Sequence, residues 1–260
     1  MITAYHRPKT LDEALTLLAQ PNTLPFGGGT LLSQISITDS IAVVDLQSLS
    51  LNSINKRGNE LEVGATTTLQ QLLESEHCPD ALKTALKLEA PLNLRNSATV
   101  AGTLVSCDGR STFATGILAL DAKITIIVNR TREAQSQTPA LAPGASVVNF
   151  GDFLPLRPRG LITSITIPLN VKLAFEYVSR TPADKPIVCV ALAQWNSGRT
   201  RLAVGGYGAS PMLAMDGTES EGLETAARNA FHEATDDWAS AEYRMGVGAT
   251  LAKRCWENIQ

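Results

Sequence analysis

Three consecutive glycines, Gly27, Gly28 and Gly29, lie between Phe26 and Thr30-Leu31. With no Cβ in the way, successive peptide N–H groups can point at one anion and Thr30 can add a hydroxyl donor, which makes a phosphate cradle. The same run also reads as a flexible turn, because glycine runs punctuate many loops. A second small-residue run covers residues 97–103. Ala101 and Gly102 can set N–H groups against an anionic group, while Thr99, Thr103, Ser106 and Ser111 carry hydroxyls suited to phosphate or sugar oxygens. Ser111 or Thr112 can also cap a following helix.

Other chemistries find little support. The glycine run lacks the G-x-G-x-x-G spacing, and no clear preceding strand or acidic residue completes a Rossmann fingerprint, so a nicotinamide fold is disfavoured. Cys78, Cys107, Cys189 and Cys255 stand singly and form no C-x-x-C pair, which argues against iron–sulfur or zinc ligation within the chain and against disulfides. His6, His77 and His232 lack metal-binding spacing, and neither a G-x-S-x-G elbow nor a Walker A lysine occurs. No residue stands out as catalytic, so the chemistry of an enzyme component built on this chain must come from a bound cofactor.

The elements that position these runs follow from hydrophobic period. With 260 residues and 44% apolar content, the chain can bury a core and form two domains. Its net charge of -3 and lack of basic clusters argue against a nucleic-acid partner. No segment has the apolar length of a membrane span, and the N-terminus has no apolar signal core, so a cytoplasmic location is expected. Thr10 and Glu13 form a capping box ahead of a helix over 10–19. Strands are expected at 41–46, 51–54 and 60–63. Thr68 and Gln71 form a second capping box, and a helix over 79–90 shows Ala81, Leu82, Ala85, Leu86 and Leu88 on an apolar face. A helix at 113–120, a strand at 123–128, a polar loop at 129–143, a short strand at 147–150 and a strand at 161–168 follow. Beyond a boundary at 169–172, strands at 175–180, 187–193 and 201–206 precede helices at 220–235 and 237–257, an α+β arrangement.

The order Leu94-Arg95-Asn96-x-Ala98-Thr99-Val100-Ala101-Gly102-Thr103, followed by Leu118-Ala119-Leu120-Asp121-Ala122, resembles the second FAD-contacting segment of the medium subunits of the xanthine dehydrogenase and carbon monoxide dehydrogenase family of molybdenum hydroxylases. Phe26-Gly27-Gly28-Gly29-Thr30-Leu31-Leu32 is similar to the family's first segment, A-G-G-T/Q-x-L, with Gly27 for the usual alanine. Gly64-Ala65-Thr66-Thr67-Thr68 matches G-A-x-T-T, where Thr67 is either part of a helix cap or a contact on the flavin side. Near the flavin ring the family often has a leucine, a part for which Leu161 or Ile162 is the candidate, a core position being the alternative. Ser179-Arg180, residues 205–211 and Tyr243-Arg244 resemble signatures of its C-terminal domain, so the resemblance spans the chain. It implies an α+β fold: a two-part FAD-binding domain of the PCMH type at 1–170, its subdomains meeting near 55–65, and a small α+β domain at 171–260. It implies FAD held by residues 26–31, Thr67, Thr99, Ala101, Gly102, Thr103, Ser106, Asp108, Thr112 and Leu161. It also implies partners: an iron–sulfur subunit that delivers electrons and a molybdopterin subunit that oxidises substrate, with this chain passing the electrons to an external acceptor.

The match departs in places. Where the family reads G-G-N-x-x-x-A-S-P-x-x-D, Thr103 replaces the asparagine, Asp108 the serine and Thr112 the aspartate. Loss of a charged acceptor without compensation weakens flavin binding by about 1.5 to 3 kcal/mol, roughly ten- to a hundred-fold. That departure motivates an alternative, a flavin-free scaffold or assembly subunit that keeps the fold. Glu176 stands where some members carry a lysine near the flavin, and a negative charge there is expected to lower the flavin potential.

Overall fold

A computed structural model describes residues 1–33, 40–128, 144–182, 184–218 and 221–260. The expected loop at 129–143 lies outside the described residues, as do Gln34 at the end of the first glycine segment and Ser220 at the start of an expected helix.

The chain opens with β1 (Ile2–His6), α1 (Leu11–Leu18), β2 (Thr23–Phe26) and β3 (Ile41–Asp45), and the strands form a parallel sheet in the order β1-β3-β2. The Thr10 hydroxyl accepts the Glu13 N–H and caps α1 as its sequence requires. Ala14 of α1 packs with Val44, Leu46 and Leu161 in one buried cluster.

A five-stranded sheet follows, ordered β4-β5-β8-β6-β7, from β4 (Ile54–Arg57), β5 (Glu60–Gly64), β6 (Lys123–Val128), β7 (Gly144–Asn149) and β8 (Leu161–Pro168). Its helices are α2 (Leu69–Glu74), α3 (Asp80–Glu89), α4 (Leu92–Arg95), α5 (Val100–Ser106), α6 (Thr112–Ala119) and α7 (Phe150–Leu156). Both bonds of the Thr68–Gln71 capping box are made. The run at 97–103, expected as a turn, instead winds into α5, because the Thr99 hydroxyl accepts the Gly102 N–H and caps it.

The last portion is an antiparallel sheet in the order β12-β11-β10-β9, built from β9 (Val171–Val178), β10 (Val188–Trp195), β11 (Thr200–Gly205) and β12 (Met212–Gly217), with α8 (Leu223–Ala230) and α9 (Ala241–Ile259). β10 is apolar on both faces for a reason visible in its period of two. Cys189, Ala191 and Ala193 point into the core shared with α6, whereas Val188, Val190 and Leu192 point into the core shared with α8 and α9.

Helix α6 is the pillar between these parts. Every one of its residues is buried, as expected for a helix apolar on all sides, and it touches α3 as well as β10 and β11. At its far end Arg201 bonds the Leu118 carbonyl and pairs with Asp121 and Asp216. The four cysteines are buried and free. Burial pushes the Cys107 thiol up to about 11 and those of Cys78 and Cys189 up to about 12, so none is a ready nucleophile.

Leu161, a candidate flavin neighbour from sequence, is 3% exposed and joins β8 to the cluster beneath the parallel sheet. Its apolar side chain therefore serves packing. Leu161→Ala is expected to lower unfolding free energy by about 2 to 5 kcal/mol. Denaturant titration checks this.

Candidate functional site

The glycine run leaves the carboxyl end of β2, a strand of a parallel sheet, which is where open α/β sheets place ligand crevices. The missing preceding strand expected from sequence is therefore present. The strand was illegible because Pro25 interrupts so short a run. The run then lies directly on the second segment. A Cβ on Gly27 would stand 2.9 Å from the Thr99 hydroxyl oxygen, and one on Gly28 would overlap the Ser97 carbonyl. Only side-chain-free residues allow this approach.

The two segments differ in what they offer a ligand. At 100–103 every N–H is already used: Val100 donates to the Thr67 carbonyl, Ala101 to Ala65, Gly102 to the Thr99 hydroxyl and Thr103 to the Thr99 carbonyl. The expectation that Ala101 and Gly102 present free N–H groups to an anion is corrected accordingly, since the Ala65 carbonyl takes the first and the Thr99 cap the second. From Gly27 to Leu32, by contrast, no N–H has an acceptor among the described residues, and these positions are only partly covered. Consecutive uncommitted donors on partly covered backbone are what a diphosphate requires. Phe26 closes one side of the run, its ring edge-to-face with Tyr5 at 6.2 Å.

Around this contact the other candidates fall into two groups. Thr67 lies beneath the second segment, its hydroxyl fully enclosed and without a hydrogen-bond partner among the described residues. Thr103 bonds back to the Thr99 carbonyl at 2.9 Å, and Ser106, exposed, to Gly102 at 2.8 Å, so each oxygen retains acceptor capacity. Asp108 is exposed and uses Oδ1 to accept the Arg110 N–H at 2.9 Å. Thr112, however, is removed from any ligand. It is fully buried and its hydroxyl donates to the Ala85 carbonyl at 2.7 Å. Its assignment to the ribityl or ribose is corrected, because the α6 N-terminus is sealed from inside.

What seals it is Glu89, absent from the sequence-derived candidates. Its Oε2 accepts from Ser111 Oγ at 2.8 Å and the Phe113 N–H at 3.0 Å and lies 3.3 Å from Thr112 Oγ1, whose one proton makes the shorter Ala85 bond, and its Oε1 takes Lys185 Nζ at 3.2 Å. A negative group at a helix N-terminus is favourable, and here it is also hydrogen-bonded and paired. Burial draws the Lys185 ammonium down, but the Glu89 and Asp108 carboxylates outweigh it and hold the group above the ordinary lysine value. A signal existed: Leu82, Ala85, Leu86 and Glu89 share the apolar stripe of α3, so a carboxylate there had to be buried.

The loop from 105 to 110 is held from the C-terminal side. Gly109 exchanges bonds with Gly206 and Gly208, and a Cβ on Gly109 would overlap the Tyr207 carbonyl. Arg157 ties Val105, Cys107 and Ala209 carbonyls together at 3.0, 2.7 and 3.1 Å. Arg110 bonds the Lys185 and Pro186 carbonyls and lies 4.2 Å from the Trp238 ring centroid, with Arg180 at 4.8 Å from the same centroid. Glu176 accepts from Asn258 of α9, while neighbouring Phe175 enters the core on the α6 side. Its charge is turned away from that core, and the expected effect on a flavin potential loses its geometric basis.

Comparison with known proteins places this arrangement. The family described as "FAD binding domain in molybdopterin dehydrogenase" matches residues 1–170. The chain is 25% identical over 268 residues to the uncharacterized protein YgfM of Escherichia coli strain K12, covering all of this chain and 97% of that protein. Among solved structures, a chain of CO dehydrogenase from Oligotropha carboxidovorans is similar with a TM-score of 0.79 at 23% identity, over 98% of this chain and 96% of that one. A chain of quinoline 2-oxidoreductase from Pseudomonas putida 86 is similar with a TM-score of 0.77 at 21% identity, over the same shares of the two chains.

Gly28→Ala is expected to prise the two segments apart, since inserting a methyl into a closed contact costs about 1 to 3 kcal/mol. Thermal melting and FAD titration should both register it. Gly217→Ala, where the new Cβ meets open space, should leave both unchanged.

Proposed function

The chain belongs to the family of FAD-binding domains in molybdopterin dehydrogenases, and from that premise we propose that it is the flavin-carrying electron-transfer subunit of a molybdenum hydroxylase-type oxidoreductase. FAD is its cofactor. In this reading an iron–sulfur subunit delivers electrons and the flavin collects them for an external acceptor, while a molybdopterin subunit carries out the substrate oxidation. The chain by itself is then inactive on that substrate. Its four isolated, buried cysteines suit such a division, because clusters need sets of thiolate ligands supplied elsewhere.

The observation that carries the reading is the contact of the first glycine run with the 97–99 backbone, leaving uncommitted N–H donors at 27–32. Those donors would hold the diphosphate. Thr103, Ser106 and Asp108 would reach the sugar hydroxyls, while Thr67 and Thr99 would shape the floor. FAD supplies two-electron and one-electron redox chemistry when bound, and these residues bind it and orient it. The flavin-free scaffold reading draws on the buried Thr112, but it leaves the exposed donors at 27–32 without a purpose.

We divide the FAD-binding portion at 46–53, where the chain passes from the parallel to the five-stranded sheet, instead of at 55–65, because β4 and β5 both belong to the latter. The second boundary is drawn at 170/171, between β8 and β9. No described helix is long and apolar enough to cross a membrane, and a cytoplasmic location is proposed with the rest.

Full-length protein stripped of ligand and titrated with FAD should bind one equivalent and acquire a flavin absorption spectrum. The holoprotein should co-purify with an iron–sulfur protein that reduces it. Absence of any FAD binding would defeat the reading, and binding without reduction by such a partner would defeat its electron-transfer half.

A further inference from the structure

The carboxyl ends of the three parallel strands carry an aromatic pair and a buried acid. Tyr5 lies near the end of β1, Asp45 ends β3 and Phe26 ends β2, with Phe26 and Asp45 opposite each other in the parallel register. The glycine run leaves directly from Phe26.

That run cannot hold its own shape, because glycine has more conformational freedom to lose than any other residue. Gly29 sits in the left-handed region at φ 71°, and the Phe26 ring folds back onto it. A Cβ on Gly29 would stand 2.6 and 2.7 Å from Cε2 and Cζ of that ring. A left-handed residue within such a run turns successive N–H groups to one side, as an anion requires. The Gly29 carbonyl is committed, accepting the Ser33 N–H at 3.0 Å, which leaves the donor side of the run as its open face.

The Phe26 ring is held in turn. Tyr5 meets it edge to face, with centroids 6.2 Å apart and planes at 69°. Tyr5 is 58% exposed, so burial does not fix it. Its hydroxyl does, by donating to Asp45 Oδ2 at 2.5 Å in a charge-assisted bond. That bond also holds the phenol above its ordinary value, and it stays a donor. Asp45 is 2% exposed, accepts the Gln47 N–H on Oδ1 at 2.9 Å and lies 3.5 Å from Arg7 Nε, which is itself bonded to Ser48 at 2.7 Å. A buried carboxylate is costly unless its partners are in place, so Asp45 is fixed and Tyr5 is fixed by it.

We propose that Tyr5, anchored by Asp45, is a positioning residue for the diphosphate of the cofactor: it sets the Phe26 ring against Gly29 and so holds the donors of 27–32 in a shape that fits one anion. The proposal rests on the FAD-binding reading above, in which that run holds the diphosphate. A cradle fixed in advance spares the ligand the entropy of ordering it. The effect therefore belongs to the diphosphate half of the cofactor and is shared by any ligand that keeps that half.

Full-length apoprotein should be titrated with FAD by fluorescence quenching and with ADP by displacement of FAD. Tyr5→Phe keeps the ring and removes its anchor, and it should weaken both ligands by a common factor of about five to ten. Tyr5→Leu, which removes the ring as well, should weaken both further. A merely structural part for Tyr5 would lower the melting temperature and leave both affinities alone. A folded Tyr5→Phe protein with wild-type affinities overturns the proposal and leaves FAD binding intact, as does a loss confined to FAD with ADP unchanged. Failure of ADP to displace FAD from the wild-type chain overturns it too, since the run then does not hold a diphosphate. If the wild-type chain binds no FAD, the underlying reading falls and this one with it.

Discussion

The site depends on backbone meeting backbone. Residues 27–28 follow β2 of the parallel sheet and 97–99 join α4 to α5, and their approach is closer than any Cβ at Gly28 would permit. Such a contact gains little by itself, since it buries few apolar atoms. Its geometry must be imposed from outside, by the packing of the parallel sheet onto the five-stranded one. Leu161 of β8, seated among Ala14, Val44 and Leu46, is the visible joint. The apolar cluster under the N-terminal sheet is thus what turns two unrelated glycine-containing strings into one surface.

The loop after α5 is governed by another principle. It has almost no apolar side chains to bury, yet nearly every polar group in it is committed, and most partners come from beyond residue 156. Gly206 and Gly208 fix Gly109, Arg157 gathers three carbonyls, and Trp238 lies beside Arg110. Ordering this loop in advance removes an entropy loss that binding would otherwise incur. The C-terminal portion therefore shapes the candidate surface and does not merely follow it in the chain.

Much of this was legible from residue order. The Thr10 and Thr68 caps, the apolar stripe of α3 and the glycine run all appear where period and turn chemistry place them. What was not legible has identifiable causes. α5 is rich in small residues and short, so its helical character rests on a single hydroxyl cap and reads as a turn. β2 carries a proline, and β12 sits at a sheet edge with weak patterning. At the site, sequence identifies which groups exist but not which are already spent. Ala101 and Gly102 look like anion donors until the Ala65 carbonyl and the Thr99 cap take their N–H groups, and Thr112 looks exposed until the Ala85 carbonyl claims it. Lys185 was invisible because its partner lies 96 positions away.

The departure at residue 112 is intelligible from the presence of Glu89. In the pattern that the chain resembles, an aspartate occupies this position. Placed here, it would stand beside Glu89, whose Oε2 lies 3.3 Å from the Thr112 hydroxyl, in a spot with almost no solvent. Two carboxylates so close and so buried cannot both ionise, and one would be forced to hold a proton. Threonine resolves the conflict, because its hydroxyl donates where an aspartate could only repel. Conversely, Glu89 restores negative charge to the start of α6, where the helix dipole favours it. The negative charge at the start of α6 thus comes from α3, on the inner side of the loop, and is paired there with the partly exposed Lys185 ammonium.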